Sequence, residues 1–239
     1  SSTVGGLAWA PGEYLILRWT DTNDAGSDDG LALDNLSFNA AGAAAGANLY
    51  WSGAAGWSQT SPGAGGSGTW ANGLGTWDQT KTANFAGPGG TVAIAGTATA
   101  AAGMTFAANG YVVSGGTLSL AGAENLLAVN PGIEARINSV VSGSNGFIKA
   151  GQGTLVLGGA NTFTGPVAIG AGRLSIGSDA ALGDPSNAVG FSGGSLATTA
   201  TIDLGSRSLT GAASLDVAAG TTLSTFGSVS LSTVMLTNT

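Results

Sequence analysis

Two short aliphatic strands recur inside residues 146–177, GFIKAGQGTLVLGGANTFTGPVAIGAGRLSIG, with glycine-rich turns between them. Leu155 and Leu157 of TLVL return nineteen residues later as Leu174 and Ile176 of RLSI. Alternation within each strand makes one face aliphatic and the other polar or small. A lone strand cannot bury such a face, whereas coils stacked at a fixed period bury it continuously. This recurrence constrains the fold more than any other feature.

The same spacing extends in both directions. Leu174 is followed by Leu196 in SLAT, Leu215 in SLDV and Val234 in TVML, at intervals of 22, 19 and 19 residues. Backward from Leu155, Leu118 in TLSL lies 37 residues earlier, read as two coils, with Ile137 between them. The intervals are too short for crossover helices, and no segment sustains a period of 3.6. The spacing predicts an all-β chain whose body is a right-handed parallel β-helix of about seven coils.

Composition narrows the partners. The 43 glycines lack a three-residue period, which excludes collagen and assigns them to turns. Charged residues make up 8% of the chain against 43% hydrophobic ones, so a disordered polyelectrolyte is excluded and a folded chain expected. A net charge of −7, with six basic residues scattered along the chain, excludes nucleic acid and anionic membranes as partners. No apolar run is long enough to span a bilayer. Cysteine and histidine are both absent, which removes disulfides, thiolate metal sites and imidazole chemistry.

Three regions are predicted. Residues 1–41 hold six of the thirteen acids and read as an antiparallel hairpin, EYLILRW and LALDNLSF around an acidic turn, resembling part of a sandwich. Residues 42–90 are a Gly/Ala/Trp-rich linker and cap that holds Trp51, Trp57, Trp70 and Trp77. Residues 91–239 form the solenoid. Its last residues, LSTVMLTNT, stop inside the strand pattern without a polar or charged cap, so further sequence or a partner is expected beyond Thr239.

Residues 146–177 resemble the passenger-associated repeat of autotransporter-type bacterial surface proteins. The match runs through Lys149, Gly151, Gly153, Thr154, Leu155, Leu157, Gly159, Asn161, Thr162, Gly165, Gly172 and Leu174, with Phe163 in place of the usual Tyr. The Trp-rich segment through Gly122 is similar to the stretch that often precedes such repeats. Residues 1–40 separately resemble the closing strands of a secreted bacterial β-sandwich domain. Autotransporters also have a C-terminal membrane barrel, which no part of this chain resembles. The resemblance implies an extracellular, cell-surface bacterial module.

Five candidate sites follow. Asp21, Asn23, Asp24, Asp28 and Asp29 offer hard oxygen donors for calcium within one loop, although Asx turns explain them without metal and the EF-hand spacing fails at Ala25. Trp51, Trp57, Trp70 and Trp77 either plug the first coil, which an open hydrophobic end favours, or form a platform that stacks on a glycan. Asp184 and Asp203 lie nineteen residues apart, but lack the supporting groups of a polysaccharide-cleaving pair and read as turn residues. Glu134 and Arg136 read as a solvated pair, and Asn161 as a turn residue. No catalytic residue and no cofactor other than calcium is assigned. The expected role is structural or adhesive, through surface display or self-assembly into filaments by end-to-end pairing of solenoids. Glycan binding is the alternative and a polysaccharide-degrading enzyme the third reading.

Overall fold

Coil stacking begins at the first described strand. The computed structural model describes residues 48–58, 65–70 and 77–238. The predicted hairpin and the five candidate calcium ligands lie outside the described residues.

Two long ladders of parallel strands build the body. The first runs through Asn48–Trp51, Thr82–Phe85, Met104–Phe106, Leu126–Val129, Phe147–Ala150, Val167–Ile169 and Val189–Phe191. It continues through the opening residues of Leu209–Val217 and Val229–Asn238. The second runs through Gly68–Trp70, the start of Thr91–Ala100 and of Tyr111–Leu120, then Glu134–Ile137, Thr154–Leu157, Arg173–Ile176 and Ser195–Thr198, and ends in the later halves of the same two final strands. A shorter third side joins residues 97–100, 117–120 and Val140–Gly143. Lower down, that side is made of turns and the small pair Ile202–Asp203 with Leu223–Ser224. Among the described residues one pairing is antiparallel, Asn48–Trp51 with Trp57–Ser58. The result is a parallel β-solenoid, all-β apart from two single-turn 3₁₀ segments.

Alternation sets what each strand buries. In Thr154–Leu157, Leu155 and Leu157 point inward and are buried, while Thr154 and Val156 face outward. Leu155 stacks on Leu174, Leu174 on Leu196 and Leu196 on Leu215, as the spacing predicts. Gly172 allows the chain to turn into its strand: its φ is +63°, and a Cβ there would overlap the carbonyls of Gly151 and Gly153 in the preceding coil.

Two register assignments change. Leu215 stacks on Leu236 rather than Val234: the last strand pairs at a spacing of 20 residues through Gly211 and, after a one-residue bulge, at 21 instead of the expected 19, which brings Val234 under Ala213. Leu118 does not precede Leu155 in its column; it lies on the third side, between Ala98 and Val141. The residues above Leu155 are Ala135 and then Tyr111. The wide Tyr111 ring and the small Ala135 share one column, which hides the repeat from a search for aliphatic residues.

Thr198 is an anomaly in that core. It sits in the column of Leu157 and Ile176, is buried, and its hydroxyl has no hydrogen-bond partner. A buried hydroxyl left unpaired costs on the order of 1–3 kcal/mol. Thr198→Val is therefore expected to stabilise the chain by about 1 kcal/mol or more. Leu174→Ala in the neighbouring column should cost about 2–5 kcal/mol. Urea midpoints of the two variants check both signs.

Candidate functional site

The tryptophans come together at the N-terminal end of the described solenoid. Trp57 meets Trp51 edge-on at 5.1 Å between ring centroids and Trp70 edge-on at 4.8 Å, and lies 4.3 Å from Trp77. Phe85 closes the cluster from the next coil and stacks on Phe106 at 4.8 Å, with Tyr111 edge-on to Phe85. The polar handles are tied inward: Trp51 Nε1 donates to Gly66 O at 2.8 Å, Trp77 Nε1 to Thr99 O at 2.6 Å, and the Tyr111 hydroxyl to Ala86 O at 2.7 Å. Burial raises the Tyr111 pKa, keeping the phenol protonated. Trp51, Trp57 and Trp70 are buried, and Trp77 is partly so. The Trp57 indole N–H lacks an acceptor and sits among rings whose π faces can receive it weakly.

The two acids of the candidate pair each close their own turn. Asp184 accepts from the backbone N–H and hydroxyl of Ser186, and Asp203 from the backbone N–H of Gly205. The Ser186 bonds hold the Asp184 carboxyl below the usual carboxylate range, a state unsuited to a general acid. Glu134 and Arg136 form an exposed pair at 2.6 Å. Among the described residues no three His, Cys, Asp or Glu side chains gather where they could hold a metal, and no helix is long and apolar enough to cross a membrane.

The sequence reading placed Lys149 in the repeat match and Asn161 in a turn, but missed that these and two further polar residues are buried and bind backbone across coils. Lys149 occupies an inward position between Leu127 and Ile169 and is fully buried. Its ammonium donates to Ala150 O, Gly151 O and, in the next coil, Ala171 O at 2.8, 2.8 and 3.0 Å. Asn161 accepts from Val141 N and donates to Ala181 O, bridging the coils on either side. Asn187 donates to Phe163 O and Leu182 O. Arg207, also fully buried, grips the Asp179 carboxylate with Nε and Nη2 and donates to the carbonyls of Gly183, Asp184 and Asn187. On the outer face Arg173 reaches Asp216, two coils away, at 2.7 Å. In a chain with so few charges, a Lys or Arg among aliphatic residues was the available signal.

Comparison with known proteins agrees with this geometry. Residues 147–176 match the model of the passenger-associated-transport-repeat. They are therefore an autotransporter-type passenger repeat, the mark of a bacterial cell-surface β-solenoid. The chain is also similar to the adhesin BmaC autotransporter of Brucella suis biovar 1 (strain 1330), 37% identical over 265 aligned residues. That alignment takes in 96% of this chain and 8% of the adhesin, so the chain spans a small part of its relative's length. No solved structure matches.

Burial pushes the Lys149 pKa down from 10.5 to about 8. Between those values the unfolded chain binds more protons than the folded one, so stability rises as pH rises through this window. Chemical denaturation from pH 7 to 10 should show that rise in the parent and its loss in Lys149→Met.

Proposed function

We propose that this chain is an extracellular structural and adhesive module, a stiff stack of coils that displays its outer face at a bacterial surface and has no catalytic role. The observation that carries this reading is the passenger repeat embedded in an uninterrupted solenoid. The named relative is an adhesin, which agrees with it. The aromatic cluster fits better as a plug for the first coil than as a glycan platform, because its rings are spent on one another. The reading is tested by immobilising the purified chain and presenting extracellular-matrix proteins and a glycan array. Saturable binding to a matrix protein or a glycan supports adhesion. Release of reducing ends from polysaccharides would replace the proposal with the enzyme reading.

Self-association through the last coil is a second element of the proposal. Val229, Val234 and Leu236 continue inward-facing columns yet are 54%, 48% and 73% exposed, outward-facing Met235 is 65% exposed, and Phe226, in the turn before the strand, is 77% exposed. No charged residue lies between Asp216 and Thr239, so the strand Val229–Asn238 carries no side-chain charge that would repel a second copy. The occupant proposed for this face is a second copy, pairing along Val229–Asn238. Sedimentation should show a concentration-dependent dimer or larger species that is weakened by Leu236→Lys. A monomer at all concentrations would remove this element and leave a further coil of a longer chain as the natural cover.

A further inference from the structure

The aliphatic columns hold the coils together but do not tell one register from another. The strands TLVL, RLSI, SLAT and SLDV are near-equivalent on their inner faces. A slip of two residues along a strand keeps every inward residue inward. The last coil shows how little the inner face resists a shift, since a one-residue bulge after Gly211 seats Leu236 rather than Met235 on Leu215.

We propose that Lys149, Asn161, Asn187 and Arg207, joined by Asn125, are a register lock that commits the coils between Gly122 and Leu209 to one stacking arrangement. Each is buried, and each ties its own turn to a neighbouring coil or fixes the turn on which that coil rests. Asn125 takes the Gly122 N–H and donates to Gly146 O. Asn161 spans the backbone from Val141 to Ala181. Arg207 gathers the 3₁₀ turn Asp179–Leu182 and the carbonyls after it from the following coil. These partners differ at every level, unlike the leucines. A slipped coil would leave a guanidinium, an ammonium or a carboxamide buried without its acceptors, which is far more costly than exchanging one aliphatic contact for another. Buried polar groups of this kind select an arrangement more than they stabilise it.

The test uses the whole chain with Arg207→Lys, which keeps the charge and loses the fork, and separately Asn161→Leu, which keeps the approximate volume. Amide NMR and hydrogen exchange are read on each. Both variants are expected to remain folded and to show a second set of resonances, at about a tenth of the intensity or more, confined to the coils around the change. These are residues 163–209 for Arg207→Lys and 141–182 for Asn161→Leu, and exchange there should quicken about tenfold or more. Residues 83–113 should keep one set of resonances. A single set of resonances in both variants, with destabilisation spread over the chain, overturns the lock. So does loss of folding in both, since the columns alone would then be unable to hold any register.

Discussion

Everything in this fold rests on parallel hydrogen bonding between successive coils. From Thr82 onward, partner residues lie 19–24 positions apart in every described ladder, and each strand satisfies its backbone groups on coils rather than on a folded-back hairpin. That geometry forces each inward side chain to sit on another from the next coil. Aliphatic columns, inward-turned tryptophans and buried clasps are three ways of filling the same positions.

Much of this was legible in the sequence where side chains repeat in kind. The columns through Leu155, Leu174, Leu196 and Leu215 were read from spacing alone, and so was the parallel class of the fold. Legibility failed where the repeat changes chemistry without changing position. Tyr111 above Ala135 fills a column with one large and one small residue. Lys149 takes the place of an aliphatic residue because its stem is apolar and its ammonium reaches three carbonyls at the corner. A one-residue bulge after Gly211 altered the partner of Leu215, and local spacing carries no trace of it.

Of the candidate sites, the four tryptophans lie together in the structure, with their rings packed on one another. The acid pair dissolved into two Asx turns, as its sequence context suggested. The polar residues with the most extensive partners, Arg207 and Lys149, were not read as clasps: Arg207 belongs to no motif, and Lys149 was read only as one residue of the repeat match. A solenoid built from near-identical coils needs such exceptions. They make one coil different from the next.

The central claim is the coil-to-coil register, and the absence of cysteine makes it directly measurable. Glu134 and Thr154 are outward-facing neighbours in adjacent coils, at a spacing of about 4.8 Å that suits a disulfide. Glu134→Cys combined with Thr154→Cys should cross-link within one molecule on mild oxidation. Glu134→Cys combined with Ser195→Cys, three coils apart, should not. Failure of the first pair, or equal cross-linking by the second, would contradict the stacked solenoid described above.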